Sequence, residues 1–302
     1  MTLRFQRTWF AVLTLFAMVA MCRAARGGDS FTRQENVVYA EEFGVGLVMD
    51  IFTPTGEKNG LAIIDVVSGA WHSDRGKMRD HEQAQMFQIF CSRGYTVFGV
   101  RPGSITKFSV PEMVTHIEKG IVWVKQHADE YGIDSARIGI TGASAGGHLA
   151  SLVAVRNESS DARPGDDRAS VKAIGVFFPP TDLTSFGRAD AGKSEDGIRA
   201  FTRRILFSGG DAGDLSKETI HQRLVDISPA LLVTKDAPSF LLIHGDADKV
   251  VPMEQSTKLQ SALREHDVPV ELIVKAGGGH PWPTLHEEVA LLADWFDRQL
   301  RM

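Results

Sequence analysis

Cysteine is almost missing from this chain: 302 residues hold two, Cys22 and Cys91. Cys22 falls in an N-terminal segment that reads separately from the rest, so the remainder has one thiol and no internal disulfide. Stability therefore has to come from a hydrophobic core, and about 275 residues bury one comfortably. Basic runs are missing too. The 33 Lys and Arg against 38 Asp and Glu give a formal charge of −5, with no stretch able to track phosphates, which excludes nucleic acid as a partner. Neither H-E-x-x-H nor a Cys/His cluster occurs, so the sequence implies no metal and no organic cofactor.

What is there begins with a charged and apolar leader. Arg4 and Arg7 precede the run TWFAVLTLFAMVAM (Thr8 to Met21), and CRAARGGDS follows. This is the layout of a secretory signal peptide, and the run is short for a membrane span. Cys22 and Ala24 occupy the −3 and −1 positions of a cleavage after Ala24, which makes residues 1–24 the signal peptide. An uncleaved anchor is the alternative. Cleavage leaves a secreted or periplasmic chain without stable membrane insertion.

Beyond the leader, the segments VVYA and LVMDIFTP read as an early hairpin, and GLAIIDVVSG and YTVFGV as strands buried on both faces. A helix is expected through MRDHEQAQMFQIFCSRG, closing at Gly94, and a second through PEMVTHIEKGIVWVKQHADEYG, closing at Gly132. RIGIT, VKAIGVFF, SFLLIH and VELIVK supply further strands, and Leu285 to Leu300 a last amphipathic helix. Strands alternating with helices imply an α/β fold, a mostly parallel sheet covered on both faces. One interval breaks the rhythm: the segment from about 179 to 238 is far longer than a strand-to-helix loop. It is either a lid over a binding site or an inert surface insertion.

The sequence IGITGASAGGHLASL places Ser144 between a strand and a helix. Gly142-Ala143-Ser144-Ala145-Gly146 matches G-x-S-x-G, where a strained turn needs minimal flanking side chains and exposes the hydroxyl. A dinucleotide fingerprint would need glycine at 144. A nucleophilic serine requires a base, usually histidine, and an acid to orient it. SFLLIHGDADKVVP offers Asp246 and Asp248 after one late strand, and VELIVKAGGGHPWP offers His280 after the next. Position alone leaves Asp246 as the alternative acid; His148 and His244 are expected to pack.

These residues resemble the α/β-hydrolase superfamily and are most similar to its secreted esterase branch, which includes acetyl xylan and feruloyl esterases and hormone-sensitive-lipase-like enzymes. The resemblance runs through LVMDIFTP, YGIDSARIGITGASAGGHLASL, SPALLVTKDAPSFLLIHGDADKVVP and GGGHPW. It makes 29–302 an α/β-hydrolase catalytic domain, Ser144 the nucleophile, His280 the base, and Asp248 the acid, through the pattern H-G-x-x-D-x-x-V-P. Where such esterases often carry H-G-G-G-W, this chain has Val67-Ser68-Gly69-Ala70-Trp71. The implied oxyanion hole is then the backbone N–H groups of Gly69, Ala70 and Ala145, with an Ala where glycine has more freedom. VRPGSITKF also departs from the pattern at one wall of the pocket. The resemblance implies a carboxylic ester hydrolase without cofactor, acting on small-molecule or polysaccharide esters bearing small acyl groups. Trp71 and Trp282 are expected to wall an acyl pocket or stack on a sugar ring, with packing as the alternative role. A prolyl-oligopeptidase-like serine peptidase and a non-catalytic binding protein are the competing functions, and oligomeric state stays open.

Overall fold

The computed structural model describes residues 30–157, 169–186, 195–208 and 216–301. The expected signal peptide, its cleavage site and Cys22 lie outside these residues, as does most of the polar piece that begins at Gly187.

The first hairpin pairs β1 (Phe31–Glu42) with β2 (Val45–Pro54), joined at Phe43 and Gly44, both left-handed. Then come β3 (Ala62–Val66), α1 (Arg75–Gln83), α2 (Met86–Ser92), β4 (Thr96–Val100), α3 (Val110–Gln126) and the short α4 (Ala128–Tyr131). The second half runs β5 (Ile138–Ala143), α5 (Ala145–Asn157), β6 (Ala173–Phe177), α6 (Glu195–Leu206) and α7 (Lys217–Val225). It ends with β7 (Ser239–Gly245), α8 (Glu254–Glu265), β8 (Val270–Lys275) and α9 (Leu285–Leu300). The eight strands lie in the order β1-β2-β4-β3-β5-β6-β7-β8, with the β1–β2 and β2–β4 pairs antiparallel and the other pairs parallel.

The central strands β3, β4 and β6 are buried along their whole length, as continuous apolar runs require once helices cover both faces. One face packs Met113, Ile117 and Ile121 of α3, Leu149 of α5 and Leu259 of α8. The other packs Phe87 and Phe90 of α2 with Trp295 and Phe296 of α9. Among the described residues no helix is long and apolar enough to cross a membrane.

Two helix expectations are corrected. The segment read as one helix to Gly94 breaks at Gln85, which is left-handed at φ 58°. On a straight helix Met78 and His81 would face roughly half a turn away from Met86, Phe87, Phe90 and Cys91. The break lets both sets face the sheet. The next helix likewise ends at Gln126, and Ala128–Tyr131 forms a separate turn closed by left-handed Gly132.

From β3 the chain moves to β4 on one side and then to β5 on the other. The carboxyl ends of β3 and β5 thus flank a topological switch point, where crevices open in sheets of this kind. The long β6–β7 connection carries α6 and α7 and is pinned where it leaves the sheet. Thr181 and Asp182 donate their backbone N–H groups to Gln255 Oε1 at 2.7 and 2.8 Å, and Leu183 donates to Ser228 Oγ at 2.8 Å.

Candidate active site

Ser144 sits alone between β5 and α5 with φ 53°, a left-handed conformation that is uncommon for a residue with a side chain. The flanking glycines make it possible. A Cβ on Gly142 would lie 2.6 Å from the Gly146 carbonyl group, and one on Gly146 would lie 2.2 Å from Val66 O. Neither distance is tolerable and both neighbours are backbone, so the turn can be this tight only without those side chains. Two hydrogen bonds fix it to the adjacent strands: Ser144 N–H to Phe177 O at 2.9 Å and Gly146 N–H to Ser68 O at 3.0 Å. The second ties the loop after β3 to the serine.

The loops after β7 and β8 converge on this turn. His280 Nε2 lies 3.0 Å from Ser144 Oγ, and His280 Nδ1 lies 2.6 Å from Asp248 Oδ2. Because the carboxylate can only accept, Nδ1 carries the proton and Nε2 offers its lone pair to the serine hydroxyl. Asp248 is itself held from three further sides. Its Oδ1 accepts from the N–H groups of Val250 (2.8 Å) and Val251 (2.9 Å), and His244 Nε2 stands 3.5 Å from Oδ2. Burial alone would push this carboxyl group up. The hydrogen bonds from His244, His280 and Val251 N–H outweigh it and hold the group well below the usual carboxylate range. Asp246 takes the other role the sequence allowed: its Oδ1 accepts from Gly277 N–H at 2.7 Å and shapes the turn.

The region after β3 departs from expectation. Gly69 and His72 exchange backbone hydrogen bonds, each 2.9 Å, which closes a two-residue turn with Ala70 at φ 48° and Trp71 at φ 59°. Gly69 N–H is therefore engaged by His72 O and is not an open oxyanion donor; this corrects the expected trio. The corner N–H of Ala70 and the first-turn N–H of Ala145 remain as candidates, the latter because the first N–H groups of a helix have no partner within it.

The two tryptophans are also corrected. Trp71 is 4% exposed, and its indole N–H donates to His148 Nδ1 at 3.1 Å. Trp282 is 6% exposed, and its N–H donates to Glu288 Oε2 at 2.7 Å. Both rings face the interior and buttress the site; neither offers a face on which a sugar could stack. His148, which the sequence assigned to packing, donates from Nε2 to Ile227 O at 2.7 Å. Burial pushes its pKa down to about 4, so the ring is neutral at ordinary pH.

Two neighbours of the site were not found by sequence reasoning as parts of it. Phe178 presents its ring edge-on to His280, with centroids 4.4 Å apart, and its own φ is 36°. His244 was read as structural, and its place directly behind Asp248 needed the fold; the signal available was its four-residue spacing to that aspartate at a strand end. A cavity of about 670 Å³ lies between α6 and α7, bounded by Leu183, Phe186, Arg199, Lys217, Ile220 and Leu224 among others. None of Ser144, Asp248 and His280 lines it.

A serine on the strand-to-helix turn at the switch point of a mostly parallel sheet, with its histidine and aspartate on later loops, defines the α/β-hydrolase class. The chain belongs to the BD-FAE family, whose model matches residues 49–263. It is 26% identical over 229 residues to a probable carboxylic ester hydrolase, LipM, and 29% identical over 220 residues to the esterase LipC, both from Mycobacterium tuberculosis. Those matches cover 74% and 68% of this chain, and the chain spans about half the length of the curated relatives it matches (50% and 49%). Among solved structures it resembles the truncated form of a carbohydrate esterase from gut microbiota. That likeness has a TM-score of 0.75 and 27% identity, and it covers 91% of this chain and 99% of the other.

Proposed function

We propose that this chain is an exported serine hydrolase that cleaves carboxylic esters through Ser144, His280 and Asp248. One observation carries the reading: the unbroken row from Ser144 Oγ through His280 to Asp248, at 3.0 and 2.6 Å. In the reaction, His280 Nε2 takes the proton from Ser144 Oγ as that oxygen attacks the ester carbonyl carbon. Asp248 keeps the proton of Nδ1 in place and stabilises the imidazolium. The N–H groups of Ala145 and Ala70 receive the negative charge that builds on the carbonyl oxygen. The proton then passes from His280 to the departing alcohol, and water, deprotonated by the same imidazole, releases the acid from Ser144.

The substrate class is taken as small acyl esters, acetyl or feruloyl groups on polysaccharides. The likeness to a carbohydrate esterase and the expected signal peptide over residues 1–24 support that choice. The test is hydrolysis of p-nitrophenyl acetate, butyrate and octanoate by the chain from Asp29 onward, beside Ser144→Ala. Turnover that vanishes in the variant supports the reading, and the chain-length preference sizes the acyl pocket. Equal background rates in both folded proteins would favour a second reading, a hydrolase-fold protein that only binds ligands. The observation behind that second reading is the Gly69 N–H engaged by His72.

A further inference from the structure

His148 stands where three parts of the molecule meet. It lies on α5 one helical turn after Ser144, and its backbone N–H donates to Ser144 O at 2.9 Å. Its ring is fully buried and bonded at both nitrogens: Nδ1 accepts the indole N–H of Trp71 at 3.1 Å, and Nε2 donates to Ile227 O at 2.7 Å. Ile227 follows α7 in the β6–β7 connection, next to Asp226, whose carbonyl accepts from Arg156 of α5 at 2.8 Å. Trp71 is a corner of the turn that presents the Ala70 N–H.

That turn needs outside support. Ala70 and Trp71 are consecutive left-handed residues, neither of them glycine, and such conformations persist only where the surroundings over-determine them. The Gly69–His72 bonds close the turn, and Ile105 N–H donates to Trp71 O at 2.8 Å. The Trp71 ring also touches Phe201 of α6, with centroids 5.5 Å apart, but a ring contact leaves the ring free to slide. The bond to His148 is directional and fixes the indole along its long axis.

We propose that His148 is a positioning residue for the oxyanion turn: as an acceptor for the Trp71 indole N–H, it holds the Ala70 N–H toward the oxygen of the carbonyl group whose carbon Ser144 attacks. The assignment rests on the hydrolase reading above, and part of its test does not. A group that acts only by aiming an oxyanion donor works in the transition state, so its loss lowers kcat and leaves KM nearly unchanged. Outright removal of such a donor costs about 10²–10³ in kcat. Misdirecting one should cost about ten- to a hundredfold.

The experiment compares His148→Phe, which keeps the ring and loses both bonds, with His148→Gln, which can accept and donate. Expected are a ten- to a hundredfold fall in kcat on p-nitrophenyl butyrate for Phe, with KM within about threefold, and recovery by Gln to near the wild-type value. Should His148→Phe fail to fold, Trp71→Phe removes the same bond from the other side and must show the same kcat loss. In parallel, ¹H–¹⁵N spectra of the folded proteins follow the Trp71 indole N–H and the Ala70 amide, and both signals should move in the Phe variant and return with Gln. An inactive wild type would strike the hydrolase reading, and the spectra would still decide this one. An unmoved Ala70 amide, an unchanged kcat, or a Gln variant no better than Phe overturns the proposal.

Discussion

Replacing Asp248 by Asn tests how His280 is prepared for catalysis. In the structure the carboxylate accepts the N–H groups of Val250 and Val251 on Oδ1 and the Nδ1 proton of His280 on Oδ2. An asparagine must turn its NH₂ toward one of these sides. Aimed at Val250 and Val251, it meets two donors and leaves both unbonded, at about 1–3 kcal/mol each. Aimed at His280, it costs far less, because the imidazole can move its proton from Nδ1 to Nε2. The second arrangement wins, and Nε2 then points a proton at Ser144 Oγ where a lone pair is needed. The expected loss is ~10⁴ in kcat, about 5.5 kcal/mol of barrier, with the fold retained. The assay is steady-state hydrolysis of p-nitrophenyl butyrate between pH 5 and 9 beside a thermal melt. Asp248 is held below the usual carboxylate range, so its contribution is present above the unfolded value near 4 and is lost only as pH falls through the folded value. The acid limb of the wild-type profile should therefore belong to another group. A variant within tenfold of wild type, melting normally, would refute the tautomer argument.

Two further outcomes follow from strained or buried positions. Asp50 is fully buried and accepts from Arg33 (2.6 and 2.9 Å), Arg75 (2.6 Å), Arg101 (3.4 Å) and the Asn36 N–H (3.0 Å). Asp50→Ala strips Arg101 of its carboxylate and leaves Arg33 and Arg75 with only the more exposed Glu82 and Glu35, and it should cost about 3–5 kcal/mol at pH 7, read by denaturant unfolding. Burial raises the Asp50 pKa, and the Asn36 and arginine bonds reverse that to a net lowering. The gap between wild type and variant should thus hold above about pH 4 and shrink as pH falls through the folded value. Ala70→Gly relieves a left-handed alanine at φ 48°. The relief of ~1–2 kcal/mol less the added freedom of an unfolded glycine, ~0.5–1 kcal/mol, should raise stability slightly, with kcat within about threefold of wild type.

Much of this was legible because the chemistry constrains residue types at fixed places. Buried parallel strands must be continuous apolar runs, so β3 through β7 could be read directly. A strained serine needs small flanking residues, and Gly142 and Gly146 meet backbone atoms where any side chain would stand. The acid and base had to follow late strands, which placed Asp248 and His280 in candidate positions that the fold brings within hydrogen-bond reach of each other. What could not be read depended on partners distant in sequence. Whether an indole lines a pocket or packs is decided by where its N–H finds an acceptor. For Trp71 that acceptor is His148, 77 residues away. Gly69 lost its expected role because the turn type, fixed by His72, takes up its N–H. The break at Gln85 was hidden because local propensity favours one helix, whereas the buried positions on its two sides call for two directions.

The central claim is that Ser144 is an activated nucleophile, and its most direct test is covalent. The folded chain is incubated with a fluorophosphonate, weighed intact by mass spectrometry, and mapped by peptide digestion. The account predicts one adduct per chain, carried by Ser144 Oγ and absent from Ser144→Ala. A folded protein that takes up no adduct, or takes it up at another residue, would contradict it.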